Sequence, residues 1–176
     1  MLSRIAKYHF APTEGAQANL LSEGVSPSDI TVTGNTVIDA QHWVCAAKGI
    51  RRKINGQGHM LVTVHRRENW GDDVDQICHA VAEIALQHPT LKVLFPVHLN
   101  PIIQAPVQRI LGHLNNVMLT PPLDYLQMQQ ALVDAWIVLT DSGGLQEEAP
   151  TVNVPVLVLR DETERPEAVA SGCATV

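Results

Sequence analysis

The sequence predicts an α/β fold, a parallel sheet with helices packed on both faces, on two observations. Five short apolar runs have the near-continuous hydrophobicity of strands covered on both sides: Met60 to Val64, Lys92 to Phe95, Val117 to Leu119, Trp136 to Leu139 and Val156 to Leu159. Helical patterns fill the intervals, so strand and helix alternate, and the economical arrangement is a parallel sheet joined by right-handed crossovers.

Ahead of that regular region, Tyr8 to Ala11 reads as a short strand. A helix then opens on Thr13 as its N-cap and ends near Gly24. Ser26-Pro27-Ser28 reads as a loop, and Ile30 to Thr33 as a second short strand stopping at Gly34. From about Thr36 to Lys48 a helix places Val37, Ile38, His42, Val44 and Cys45 loosely on one side; the glycine-containing stretch Asn55 to Gly58 after it looks like a boundary. In the regular region, Val74, Ile77, Cys78, Val81, Ile84 and Ala85 keep helical spacing, as do Ile102, Ile103, Val107, Ile110 and Leu111, with Pro106 near the first turn of that helix or kinking it. A further helix lies between Leu123 and Val133. The first two strands have no sheet of their own to join and the last residues stop where another element is due, so the pattern reads as cut at both ends.

The 176 residues are 45% hydrophobic and 17% charged, enough for one domain with an appendage. A net charge of −6 argues against a general nucleic-acid surface, which needs clustered excess Lys and Arg. The three cysteines are widely spaced, and Cys45 and Cys78 sit in apolar helical patterns, which suits small core residues in a reducing cytoplasm. The start of the chain lacks the apolar stretch of a signal peptide, and no segment has the apolar length of a membrane span. The eight histidines are scattered without zinc spacing, so no metal is expected.

The chemistry concentrates in Thr140-Asp141-Ser142-Gly143-Gly144-Leu145-Gln146-Glu147-Glu148-Ala149-Pro150. Two glycines between a strand and a helix start leave backbone N–H groups that attract phosphate. Ser142 adds a hydroxyl, and Glu148, one helical turn on, is suited to accept hydrogen bonds from sugar hydroxyls. The implied ligand is a nucleotide or nucleotide sugar. Taken alone, the run reads equally as an ordinary chain reversal. Its company changes that reading, because His65-Arg66-Arg67-Glu68, Pro96-Val97-His98-Leu99-Asn100-Pro101 and Arg160 to Ala168 also follow strands. In an open parallel sheet all of these share the carboxyl rim, where ligands bind.

In order along the chain, Tyr8 to Thr13, Gly34 to Ala40, His65 to Asn69, Pro96 to Pro101, Asp141 to Pro150 and Glu164 to Ala168 resemble the non-hydrolysing UDP-N-acetylglucosamine 2-epimerases, over nearly the whole chain. The resemblance implies two Rossmann-like domains of the glycosyltransferase-B type facing each other across a UDP-holding cleft. Residues 1–33 would be the tail of the first domain and 34–176 the UDP-binding second domain, incomplete at its C-terminus. The front half of the enzyme, with the acids that move the C2 proton, has no counterpart here. The implied reaction eliminates UDP to a glycal and re-adds it with C2 inverted, without a cofactor.

On this resemblance His65 is the catalytic histidine. Ser142, Gly143 and Gly144 hold the diphosphate, Arg165 supplies positive charge, and Glu148 holds ribose hydroxyls. Arg66 and His98 match a second, regulatory UDP-N-acetylglucosamine site. Read without the family, His65 caps a strand end, Arg66 is a solvated arginine and His98 a loop histidine. Val64 departs from the family pattern, which often has a small residue before the histidine. So do Leu123 and Met128, where relatives often offer the uracil a polar and an aromatic side chain. The implied partners are UDP-N-acetylglucosamine and UDP, with a homodimer for the full-length family, in bacterial cytoplasm and polysaccharide biosynthesis. Alternatives are the hydrolysing epimerase branch, a retaining glycosyltransferase, or a catalytically silent nucleotide-sugar-binding fragment that self-associates through exposed apolar surface.

Overall fold

The computed structural model describes residues 5–52 and 58–176, which divide into two compact units between Trp43 and Val44. The boundary expected at Asn55 to Gly58 lies, apart from Gly58, outside the described residues.

The first unit holds β1 (His9–Ala11), α1 (Glu14–Ser22) and β2 (Ile30–Val32). β1 and β2 pair in parallel, with Phe10 opposite Thr31, so these strands join each other. The Thr13 hydroxyl accepts from the Ala16 amide at 3.1 Å, which fixes the start of α1 as its residue type predicts. The segment expected as a loop closes instead into one 3-10 turn, Pro27–Asp29, because Pro27 presets a helical φ. Helix α2 (Thr36–Lys48) crosses the division between the units. Its buried residue is Gln41, and the half-buried Val37, Ile38, Val44 and Cys45 share that side of the helix, so the expected stripe marks the covered side except at His42, which is exposed.

The second unit is the predicted sheet. Strands β3 (His59–Thr63), β4 (Lys92–Pro96), β5 (Val117–Thr120), β6 (Ala135–Thr140), β7 (Val156–Val158) and β8 (Ala174–Thr175) lie in the order β5-β4-β3-β6-β7-β8, every pair parallel. Order reverses between β3 and β6, the Rossmann arrangement, and there the outgoing crossovers turn to opposite sides. Helices α3 (Asp72–Gln87) and α4 (Pro101–Leu111) cover one face over Met60, Val62, Val64 and Phe95. Helices α5 (Tyr125–Asp134) and α6 (Gly143–Thr151) cover the other over Leu61, Val138, Val156 and Val158. Successive β3 residues thus feed opposite cores, as a pleated strand requires. The short helix α7 (Pro166–Ala170) begins on Pro166.

Pro106 is buried inside α4, which runs on through it to Leu111 at the loss of one backbone donor. At the amino end of β6, the Trp136 indole covers Gly58 so closely that a methyl group on Gly58 would lie 2.0 Å from Nε1. Cys78 is fully buried, and burial pushes its thiol up to about 12. Among the described residues no helix is long and apolar enough to cross a membrane.

Candidate active site

The reversal point between β3 and β6 is where the polar clusters meet. The last residues of the two strands are joined by Thr63 Oγ1 and Thr140 Oγ1 at 2.6 Å, and Thr140 Oγ1 also accepts from the Ser142 amide at 2.9 Å. Beyond them the chains diverge, one towards His65 and the other into α6.

Asp141 binds the two loops together. It is fully buried, and its Oδ2 accepts from the amides of His65 (2.9 Å) and Arg66 (2.7 Å) and from Asn69 Nδ2 (3.0 Å). Its Oδ1 lies 3.0 Å from His65 Nδ1. Burial alone would push this carboxyl up, but the hydrogen bonds from the His65 side chain and the two amides outweigh it and hold it below the usual range. In return, the hydrogen bond to Asp141 raises His65 against the opposing effects of burial and Arg66. Asn69 Nδ2 also reaches Leu159 O at 3.1 Å, which ties in the end of β7.

Ser142 is the N-cap of α6, its hydroxyl oxygen facing the Leu145 amide at 3.5 Å. The first turn that follows leaves the amides of Gly143 and Gly144 without intrahelical acceptors. Side chains crowd this turn. A methyl group on Gly143 would lie 3.4 Å from Arg66 Nη2 and 3.8 Å from both Arg165 Nη2 and Glu164 Oε2; one on Gly144 would lie 3.8 Å from both Ser142 Oγ and Glu148 Oε1. Two guanidinium groups, a helix N-terminus and a serine hydroxyl therefore face the same few ångströms, with the carboxylates of Glu164 and Glu148 beside them.

Each arginine is held by carboxylates. Arg165 Nε pairs with Glu147, and its Nη1 donates to the Glu164 carbonyl at 3.1 Å. Glu164 lies between Arg66 Nη1 (3.2 Å) and Arg160 Nη1 (2.6 Å), and hydrogen bonding from Arg160 takes its carboxyl down to about 2. Glu148 is 8% exposed and takes a 2.6 Å hydrogen bond from Gln129 Nε2; burial pushes it up more than that bond lowers it.

The structure thus brings together His65, Arg66, Ser142, Gly143, Gly144, Glu148 and Arg165. His98 follows the end of β4, the strand next to β3, and is exposed, its Nδ1 accepting from the Asn100 amide at 3.1 Å. Val64 is 1% exposed and belongs to the first core, so it anchors the strand end rather than lining the rim. Leu123 and Met128 pack against the second core. Sequence reasoning did not single out Asp141, Asn69, Glu147, Glu164 or Gln129. Of these, Asp141 carried a signal, a carboxylate at the buried carboxyl end of a strand next to the phosphate-type turn. A neighbouring cleft of about 600 Å³ is lined by Glu68, Asp73, Asp161 and Glu162 with Arg160, one cation against four carboxylates, whereas the α6 rim sets two arginines and a helix N-terminus beside its carboxylates.

Comparison with known sequences supplies the family: the model described as UDP-N-acetylglucosamine 2-epimerase matches residues 1–176. The chain belongs to the UDP-N-acetylglucosamine 2-epimerase family. The enzyme of that name from Escherichia coli K12 is 47% identical over 184 residues, covering 98% of this chain and 49% of the relative. The crystal structure of the Neisseria meningitidis UDP-GlcNAc 2-epimerase bound to UDP-GlcNAc matches with a TM-score of 0.90 at 41% identity, covering 99% of this chain and 50% of that one. The Methanocaldococcus jannaschii epimerase in complex with UDP-GlcNAc and UDP matches with a TM-score of 0.79 at 31% identity, covering 97% and 50%. The chain spans about half the length of the curated relatives it matches.

Proposed function

We propose that this chain is the UDP-binding half of an epimerase that interconverts UDP-N-acetylglucosamine and UDP-N-acetylmannosamine. The observation that carries the reading is the convergence of Ser142, the Gly143 and Gly144 amides, Arg66, Arg165 and His65 on one rim at the sheet's reversal point. In this reading residues 1–33 end the first lobe of a glycosyltransferase-B-like enzyme and 34–176 form most of the second. The enzyme works in the cytoplasm as a homodimer.

In the elimination, the C1–O bond breaks with its electron pair passing to a diphosphate oxygen. The C2 proton is taken by an acid/base group of the other lobe, and a C1–C2 double bond forms. Re-addition reverses these changes on the opposite face of C2. This chain handles the leaving group. The two glycine amides, Ser142 and Arg165 hold the diphosphate as negative charge grows on it, and one well-aimed donor of this kind is worth roughly 3–4 kcal/mol. His65 donates to the diphosphate oxygen. Glu148, with one oxygen engaged by Gln129 and the other on the Gly144 side, accepts from the ribose hydroxyls. Arg66 serves the same rim, and His98 is left to the regulatory site that the resemblance implies.

Calorimetry with UDP tests the assignment. The chain should bind UDP, and Ser142→Ala or Arg165→Ala should each weaken binding about tenfold or more. Unchanged affinity in both variants removes the site from this rim. Product analysis tests the division of labour: the chain alone should give no UDP-N-acetylmannosamine from UDP-N-acetylglucosamine, and the protein carrying both lobes should. Release of free N-acetylmannosamine by the two-lobed protein would place it in the hydrolysing branch instead.

A further inference from the structure

The phosphate-binding reading does not account for the carboxylate sealed behind the histidine. Asp141 has no exposed surface, yet its side chain takes donors from three residues of the loop after β3. The two amide contacts fix the loop backbone, and they would suffice for a purely structural anchor. The remaining oxygen, Oδ1, is buried with no other group among the described residues to pair with and lies 3.0 Å from His65 Nδ1. His65 therefore sets its Nδ1 edge against the buried Asp141 carboxylate while 43% of its side chain remains exposed.

We propose that Asp141 is a positioning residue: it keeps the His65 proton on Nδ1 and turns Nε2 outward to meet the diphosphate beside Ser142. For what meets Nε2, this inference rests on the UDP reading above. With Nδ1–H committed to Asp141, Nε2 becomes the nitrogen that takes up a proton when an anion arrives, and that proton is the one donated to the leaving oxygen. Two charges face the ring. Asp141 comes from the end of β6 and favours the imidazolium; Arg66, next in the chain, opposes it and is itself partly neutralised by Glu164. A carboxylate behind the ring is therefore needed for the cation to form next to an arginine.

The test is side-chain nitrogen NMR of the chain, with His65 assigned through His65→Gln. Neutral His65 should be the Nδ1–H tautomer, should titrate above an ordinary histidine, and should shift at Nε2 when UDP is added. In Asp141→Asn the tautomer preference should be lost, the titration should fall, and UDP affinity should drop roughly tenfold. An Nε2–H tautomer in the unsubstituted chain overturns the proposal, and this measurement stands even if Asp141→Asn fails to fold. A His65 titration that is the same with and without the carboxylate also overturns it. The two readings fail differently. UDP binding with an Nε2–H tautomer removes only the role of Asp141, whereas an Nδ1–H tautomer with no UDP binding by calorimetry removes the nucleotide site and, with it, the delivery of Nε2 to a diphosphate.

Discussion

Glu148 is the residue at which stability and binding pull in opposite directions. Burial raises its carboxyl, so the folded state holds this proton more tightly than the unfolded chain does. The contribution to stability is therefore full below the unfolded carboxyl value, near 4.3, and is lost as pH rises through the folded value. Replacing the acid with Glu148→Gln keeps an oxygen for the Gln129 donor and removes the buried charge. We expect the variant to match the parent in thermal melts at about pH 4 and to exceed it by roughly 1 kcal/mol at pH 8. UDP affinity should fall about tenfold through loss of the charged acceptor. Equal melting at both pH values would show that the carboxylate is not destabilised where it sits. At this scale the sequence was only partly legible. Ser142, Gly143 and Gly144 announce themselves because a strand, two glycines and a helix are consecutive. Asp141 is bound to His65 across 76 positions and Glu164 to Arg66 across 98, and no local pattern encodes such a meeting.

Elements were read more easily than side-chain partners, because apolar runs and helical spacing are local. All five predicted strands of the regular region are present, with no end moved by more than one residue. The short β8 and α7 were not anticipated, since two paired residues and one and a half turns carry too little periodicity. The helix α3 shows what sequence spacing omits. It has no basic residue in its last turn, and its carbonyl end is met instead by a side chain from the β5 approach. Asn116 Nδ2 reaches Ala85 O (2.9 Å), Leu91 O (3.0 Å) and His88 O (3.3 Å), closing the turn between α3 and β4. Asn116→Ala should cost about 1–3 kcal/mol in urea denaturation, because it leaves partly buried carbonyls without a donor. A change within experimental scatter would mean that water replaces the amide.

At the scale of the whole molecule, the two compact units differ in the core each contains. Among described residues of the first unit, the buried apolar side chains are Ala11 and Ile30, while Phe10, Tyr8 and Val32 are exposed. The second unit has two continuous cores on either side of its sheet. Hydrogen exchange should therefore find the β1 and β2 amides opening roughly tenfold or more faster than those of β3 and β6. Equal protection would mean that the first unit has support that its own packing does not supply. The doubly covered sheet was legible from composition and alternation, and its reversal point followed once the strand order was known. The division between the compact units falls inside α2, which runs across it without a break and so leaves no local mark in the sequence there.

The aromatic residue resting on Gly58 has a practical consequence. The chain has three tryptophans. Trp136 caps the amino pole of the sheet, Trp70 stacks with the Arg67 guanidinium at 5.7 Å next to the loop gripped by Asp141, and Trp43 ends the first unit with 71% of its surface in solvent. Nature has thus wired separate fluorophores into the far pole, the rim and the smaller unit. Single-tryptophan versions would let light emission follow each region on its own, without any dye.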